Sequence, residues 1–203
     1  VSLNEISNNI DFKGSVGFIK SLSPDLKFSG NLPYSFDKLG INFGNIDSRF
    51  SINRTRLSNL NIFRKRNIGG AVTAIGELKG KISNPNLSIK FRVDYPQYKA
   101  IRVREVWEGN IKNINSREFL LNMNSSTSPI PSFLTLNFDS NLKMDNLSFT
   151  RVFNSNKGIL EIVNENNSYI WKADNFPLDE LELSVSNNQF DRINGTINGA
   201  GSI

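Results

Sequence analysis

The stretch LSIKFRV, residues 87–93, alternates apolar and polar residues without a break. Its apolar residues all share one parity: Leu87, Ile89, Phe91 and Val93. Because successive side chains of a β-strand point to opposite faces, this period of two predicts a strand with one apolar and one polar face. The same pattern therefore predicts the fold class wherever else it recurs in the chain.

The alternation recurs in three further segments, which carry Leu39, Ile41 and Phe43, then Leu134, Leu136 and Phe138, then Leu181, Leu183 and Val185. Turn-forming clusters of Asn, Ser, Gly and Pro separate the segments, and residues 178–180 are expected to form a short turn before the last one. Alanine, the best helix former, occurs at only five positions. The sequence predicts an all-β fold of repetitive antiparallel strands with little helix.

Residue usage argues against catalysis. The chain has no histidine and no cysteine, which removes the commonest general base, the commonest transition-metal ligand and all thiol chemistry. Acidic groups occur near Glu105 and Glu108 and at 179–182, but nothing in their spacing sets two carboxylates across a cleft. We predict that the chain is not an enzyme and has no catalytic residues, no cofactor and no metal site.

The charge balance is basic, with a formal net charge of +5. The densest run, Arg64-Lys65-Arg66, lies beside Gly69 and Gly70, and no aromatic residues interleave with it, so we predict no nucleic-acid partner. A solvated turn is the simplest interpretation, and an anionic membrane surface is another. No stretch approaches the roughly 20 apolar residues of a membrane span, so any membrane anchor is expected outside this segment.

Glycines recur in a weak internal repeat. Gly14–Gly17, Gly76–Gly80 and Gly195–Gly199 each place two glycines close together. Because glycine inside a strand marks a bend or a close approach, we expect a sheet that curls at similar places in each unit. We predict one repeat-built segment, residues 1–203 of a longer chain, with possible units at 1–66, 67–130 and 131–203.

The run GELKGKISNPNLSI, residues 76–89, resembles the recurring G-x-L-x-G-x-hydrophobic-x-N-P units of TamB-like proteins, the AsmA-related envelope proteins. Residues 70–74 fit the start of the same unit, and residues 171–203 look similar again. The uneven spacing and phenylalanine-rich strands resemble the cyanobacterial and chloroplast branch of this translocation and assembly module family. The resemblance covers about a third of the chain.

The resemblance implies a long sheet curled into a groove with an apolar inner face. It also implies an inner-membrane anchor, a location in the periplasm or an equivalent intermembrane space, and contact with an outer-membrane barrel protein of the insertase class. The implied function is to carry phospholipid between the two membranes, or to support protein insertion or import. The expected partners are phospholipid acyl chains and that barrel protein.

A groove for acyl chains needs a continuous apolar surface, since shielding each CH₂ group from water is worth about 0.8 kcal/mol. Rows of apolar residues from successive strands supply such a surface without any discrete site. The candidate lining residues are Leu87, Ile89, Phe91, Val93, Leu134, Leu136, Phe138, Leu181, Leu183 and Val185. The same residues could instead form a closed, dry core, and the sequence does not separate these two arrangements.

Two other functions fit the alternation. The chain could be a β-sandwich or solenoid module that binds glycan or protein, with Trp107 or Trp171 as a stacking platform, although a tryptophan in a strand is more often structural. It could also be a section of an outer-membrane barrel, which needs strands of about ten residues and aromatic girdles. The alternating segments are shorter than that, and no girdle is evident.

Overall fold

The computed structural model describes residues 7–17, 25–37, 39–125, 130–141, 143–153, 155–179, 181–186 and 189–203. Helix in this part of the chain is limited to a 3-10 turn at Leu57–Asn59 and to α1 at Asn61–Arg64. The strands are β1 Ser7–Val16, β2 Leu26–Asp37, β3 Gly40–Phe43, β4 Asn45–Arg56, β5 Ile68–Lys81, β6 Asn86–Tyr98, β7 Ile101–Val103, β8 Val106–Asn113, β9 Glu118–Ser125, β10 Ser132–Asp139, β11 Met144–Phe153, β12 Asn156–Glu165, β13 Ser168–Pro177, β14 Leu181–Ser186, β15 Gln189–Ile193 and β16 Thr196–Ser202. The all-β prediction is confirmed.

All the strands belong to one antiparallel sheet, which is open and groove-like. Twelve of them form a continuous ladder in the order β1-β2-β4-β5-β6-β8-β9-β10-β11-β12-β13-β16. The other four attach beside this ladder: β3 pairs with β2, β7 with β6 and β14, and β14 with β15. The ladder is continuous across the two expected unit boundaries, since β4 pairs with β5 and β9 pairs with β10. Because strand pairing does not mark where one unit ends and the next begins, the unit boundaries stay a prediction.

Several strands are longer than the alternating segments that predicted them. The strand β5 has 14 residues and β6 has 13. Backbone hydrogen bonding sets the length of a strand, whereas alternation is visible only where side chains differ in polarity. In β5 the glycines at positions 69, 70, 76 and 80 interrupt the alternation without ending the strand.

Cross-strand pairing sorts the residues into two faces, because directly opposed residues of antiparallel strands lie on the same side of the sheet. One row of opposed residues, the central apolar row, crosses all twelve ladder strands: Gly14, Phe28, Phe50, Gly76, Ile89, Ile111, Leu121, Leu136, Leu147, Ile162, Trp171 and Gly201. The adjacent row on the opposite side is Ser15, Lys27, Ser51, Ile75, Lys90, Asn110, Asn122, Thr135, Ser148, Glu161, Lys172 and Ala200. Along these two rows one side of the sheet is apolar and the other is mostly polar, with Ile75 and Ala200 as the apolar members of the second row.

Aromatic rings cover glycines on the apolar face. A Cβ atom added to any of five glycines would overlap the ring of the opposed residue; the pairs are Gly14–Phe28, Gly30–Phe12, Gly76–Phe50, Gly109–Phe91 and Gly201–Trp171. Each ring therefore lies across the neighbouring strand instead of standing upright on its own. Such cross-strand covering of a glycine by a ring is a known way to pin register in curved sheets.

Three of the repeated glycines adopt a backbone conformation that other residues rarely take. The φ angle is +101° at Gly80, near the end of β5, +116° at Gly195, in the turn before β16, and +154° at Gly199, within β16. The expectation that the repeated glycines mark bends fits Gly80 and Gly195. At Gly76 the space is instead taken by a ring of the neighbouring strand.

The α1 segment, residues 57–67, folds onto the apolar face near the ends of β4, β5 and β6. Leu57 of the segment forms a buried cluster with three residues of the sheet: Val72, Ala74 and Val93. Leu60 and Phe63 of the segment pack against that cluster. At the far end Arg66 donates a hydrogen bond from Nη2 to the carbonyl oxygen of Asn141, at 3.0 Å. The α1 segment thus connects β5 to the β10–β11 turn.

A second segment, the β14 strap, consists of Leu181–Ser186. It follows the turn after β13, where the amide of Leu181 donates to the carbonyl of Leu178 at 3.0 Å. This agrees with the turn predicted at 178–180, of which Glu180 lies outside the described residues. The strap then pairs with β7, which pairs with β6. It therefore joins the late part of the ladder to its middle.

Candidate functional site: the apolar face of the sheet

All four predicted lining residues of β6 lie on the apolar face. Leu87 opposes Leu78, and Ile89 and Phe91 belong to consecutive rows toward the α1 segment. Val93 lies in the buried cluster, whereas the other three are half-buried. The strand therefore runs from an accessible end at Leu87 to a closed end at Val93.

The three predicted residues of β10 also lie on this face. Leu134 opposes Met123, Leu136 opposes Leu121, and Phe138 opposes Phe119. The rings of Phe119 and Phe138 are stacked with their centroids 5.5 Å apart. All three predicted residues are half-buried, so each keeps part of its side chain accessible.

The predicted residues of the last segment lie elsewhere. Leu181 and Leu183 belong to the β14 strap, outside the twelve-strand ladder, and oppose Val103 and Ile101 of β7. Leu181 is buried and Leu183 is exposed, while the side chain of Val185 lies outside the described residues. The alternation predicted a strand here correctly, but alternation alone does not reveal which neighbour a strand pairs with.

The central apolar row is the accessible part of the face. None of its large side chains is buried, and its aliphatic members from β8 to β12 are all half-buried: Ile111, Leu121, Leu136, Leu147 and Ile162. A closed core would bury such residues almost fully, as it does Val93. Along this row each apolar side chain packs against its neighbours in the sheet, and part of its surface remains accessible to solvent.

The apolar face is closed at the end of the strands that carries Trp107. Trp107, only 2% exposed, contacts Phe149, which in turn contacts Phe176, with ring centroids 5.7 and 5.0 Å apart. A register shift in β13 between Ala173 and Phe176 places Phe176 in this cluster. The apolar face therefore ends in a packed wall at this end of the strands.

A fully buried cation stands in the same wall. Arg151 has no exposed surface and donates from Nε to the hydroxyl of Ser132 at 3.2 Å and from Nη1 to the carbonyl oxygen of Pro177 at 2.9 Å. Ser132 donates in turn to the carbonyl of Ile130 at 2.8 Å. A buried charge is stable only when it is hydrogen-bonded, so this network ties β10, β11 and the end of β13 together.

Two of the carboxylates considered for catalysis lie beside cations. Glu182 is buried, and its Oε2 accepts a hydrogen bond from Nε of Arg102 at 2.7 Å, with Arg104 at 3.9 Å from its other oxygen. Glu108 lies 3.9 Å from a guanidinium nitrogen of Arg92. Among the described residues, no group of three or more acidic, histidine or cysteine side chains is arranged to hold a metal ion.

The polar face carries paired charges. Lys79 lies with its Nζ 2.6 Å from Glu77, and Arg49 lies 3.6 Å from the other carboxylate oxygen. The hydrogen bond and positive charge of Lys79 hold the pKa of Glu77 below its ordinary value. The two faces therefore differ in charge as well as in hydropathy.

Most of the central apolar row was missed by the sequence prediction. Phe50, Ile111 and Leu147 lie in strands whose alternation is short or interrupted by polar and glycine residues. The useful signal would have been a glycine and an aromatic residue in neighbouring strands at matching positions. Recognising it requires the register, which depends on hairpin length.

In the described part of the chain, no helix is long and apolar enough to cross a membrane. Comparison of the chain with protein-family models, with curated proteins and with solved structures gives no match. The function of the chain is therefore inferred from the geometry of the sheet and from the resemblance of residues 76–89 to TamB-like repeats.

Proposed function

We propose that this chain is a segment of an envelope-bridging β-groove that conducts phospholipid between the inner and outer membranes and supports outer-membrane or translocon biogenesis. It acts in the periplasm or an equivalent intermembrane space, joined to the inner membrane through a segment outside these residues. Its partners are phospholipid acyl chains and an outer-membrane barrel protein of the insertase class. The TamB-like resemblance supplies the membranes and the barrel partner.

The observation that carries the proposal is the central apolar row. It crosses twelve neighbouring strands without a charged or polar member. At about 4.8 Å between strands, such a row extends for about 50 Å at right angles to the strands. An acyl chain moving along it would meet at each strand either an apolar side chain or a glycine covered by a neighbouring aromatic ring.

The energetics favour a mobile apolar ligand. Half-buried Leu, Ile and Phe side chains leave apolar surface in water, at a cost of about 25 cal/mol per Å². A contiguous face of this kind marks a binding surface. Because the row has no polar group to fix an orientation, it suits a ligand that must slide, such as an acyl chain, better than one that must be held.

The alternative of a glycan-binding module receives less support. Trp107 is buried in the aromatic cluster, and Trp171 lies over Gly201 on the apolar face. The Trp107 ring is too deeply buried to stack on a sugar, and the Trp171 ring lies in a row whose members are all apolar residues or glycine. A β-sandwich would also require a second sheet on the apolar face, and the strands described here form one sheet.

Photo-crosslinking in cells tests the proposal directly. A crosslinker at Leu136 or Ile162 should capture phospholipid, because both side chains lie in the central apolar row. The matched controls are Thr135 and Glu161, one residue earlier on the polar face, which should give little or no lipid adduct. Equal lipid capture from both faces, or none from either, would contradict the proposal.

A further inference from the structure

One end of the strands carries an excess of basic side chains, here called the basic rim. Its exposed members are Arg56, Arg64, Lys65, Arg66, Lys99 and Arg104. Pairing of the backbone brings these loops side by side, because Ile68 opposes Tyr98 and the amide of Lys99 donates to the carbonyl of Asn67 at 2.8 Å. Residues far apart in the chain therefore form one positively charged edge.

Two of the carboxylates at this edge have cationic partners. Asp94 lies 3.1 Å from Arg54 and 3.2 Å from Arg92. Glu182 is held by Arg102 in the buried ion pair of the strap, with Arg104 at 3.9 Å. The cations of the basic rim are exposed, and exposed charges set the sign of the local field.

Exposed aromatic and aliphatic groups accompany the cations. Tyr95, Tyr98 and Ile101 are 52%, 56% and 43% exposed. The ammonium of Lys99 lies 5.4 Å from the centre of the Tyr98 ring. Tyrosine beside lysine and arginine is typical of surfaces at the interface between a membrane and water, where the ring enters the headgroup region and the cation meets phosphate.

The opposite ends of the strands have mixed charge. The turns there carry Lys81, Arg117 and Lys143 together with Glu118, Asp139, Asp145 and Glu165. Both signs occur, and Asp139 accepts hydrogen bonds from the backbone amides of Asn141 and Lys143, which hold its pKa below the ordinary value. The basic rim touches this region at one point, where Arg66 donates to the carbonyl oxygen of Asn141. The six exposed cations of the basic rim outnumber the three cations of these turns.

We propose that the basic rim docks on the surface of a bilayer that contains anionic phospholipid. In the α1 segment, Leu57, Leu60 and Phe63 pack toward the sheet, whereas Arg64 and Lys65 are exposed. Lysine and arginine near an anionic leaflet each add attraction that falls off within a Debye length. Docking would place the strand ends at the headgroups. Because the central apolar row runs at right angles to the strands, that row would then lie parallel to the bilayer surface. The inference therefore concerns a docked arrangement different from the bridging one, and it does not depend on conduction.

Vesicle co-sedimentation of the purified chain tests the docking. We expect binding to phosphatidylcholine vesicles that contain phosphatidylglycerol, weakening with added salt, and little binding to phosphatidylcholine alone. The triple variant Arg64→Gln/Lys65→Gln/Arg66→Gln should lose at least about tenfold in affinity. The matched variant Lys81→Gln/Arg117→Gln/Lys143→Gln removes the same charge from the opposite rim and should bind nearly as the wild type does.

Because Arg66 contacts Asn141, a second variant, Arg64→Gln/Lys65→Gln/Lys99→Gln, keeps that contact, and thermal unfolding confirms that each variant is folded. An equal loss in rim and control variants would reduce the effect to net charge and overturn the proposal. Wild-type binding that ignores anionic lipid would also overturn it, as would binding to an oligonucleotide but not to vesicles. Lipid crosslinking from Leu136 is measured separately, so conduction and docking can fail independently.

Discussion

Each of the three glycines of the central apolar row opposes an aromatic ring that fills the space a Cβ would take. The pairs are Gly14–Phe28, Gly76–Phe50 and Gly201–Trp171. At the scale of single residues, the pairing has two effects. The ring shields the backbone of the next strand from water, and its flat position keeps the apolar face low. Side-chain height is what limits the depth of a groove, so these pairs help to leave room above the sheet.

A double-mutant cycle on Gly76 and Phe50 tests this pairing. The variant Gly76→Ala should be destabilised by about 1–3 kcal/mol, because the new methyl group forces the Phe50 ring out of its position. In a Phe50→Ala background the same change should cost much less, which gives a coupling energy of about 1 kcal/mol or more. Denaturant unfolding of the four proteins measures it, and equal costs in both backgrounds would refute the pairing.

Sequence reasoning reached part of this residue-level description. Leu87, Ile89, Leu134 and Leu136 were assigned to the apolar face because parity fixes the face of a residue within one strand. The partner of each residue across the sheet depends on the register, and a shift of one residue would exchange the faces. Hence the glycine–aromatic pairs became visible only once the strands were aligned.

At the scale of elements, two segments attach near the same ends of the strands. The α1 segment buries Leu57 against β5 and β6 on the apolar face, and the β14 strap pairs with β7, which pairs with the end of β6. The strap is attached to β7 by three opposed pairs and by the buried ion pair between Glu182 and Arg102. Local sequence predicts that 181–186 form a strand, but attachment to β7 joins residues about 80 positions apart, and no local pattern encodes it.

Removal of the buried carboxylate tests the strap. Glu182→Gln should cost about 1–3 kcal/mol, because the guanidinium of Arg102 loses its charged partner in a mostly buried position. Hydrogen exchange should accelerate at Leu181–Leu183 and at Ile101–Val103. The matched control is Glu77→Gln, which breaks an exposed pair with Lys79 and should not measurably change stability. Unchanged exchange in the strap of Glu182→Gln would show that the ion pair does not hold it.

At the scale of the whole molecule, the apolar face is open along its central row and closed along one edge. The sequence does not decide between an open groove and a closed core, and the structure has both arrangements at different positions. Val93 lies in a closed core, whereas Leu136 is half-buried on the open row. Both residues are aliphatic and lie in strands with the same alternation. What differs is the neighbouring element, because the α1 segment packs over the cluster that contains Val93, whereas Leu136 keeps part of its side chain accessible.

Arginine substitution distinguishes the two environments. Val93→Arg should prevent stable folding, because it buries an ion without a partner. Leu136→Arg should cost only about 1 kcal/mol, since the long side chain can extend from the open row into water. It should still block lipid transfer by interrupting the apolar path. Thermal unfolding and a lipid-transfer assay, with Thr135→Arg as control, measure both effects; unfolding of Leu136→Arg would mean that the row is closed.

The position of the strap also bears on the order in which the chain assembles. Ladder strands pair mostly with the strand that precedes them, so each can join the growing sheet soon after it leaves the ribosome, at a small cost in loop-closure entropy. The strap is different, because β7 must wait for β14, about 80 residues later. The aromatic cluster is also completed late, because Trp107 contacts Phe149 of β11, and Phe149 contacts Phe176 of β13. Until those strands have paired, the ring of Trp107 is exposed and open to premature association.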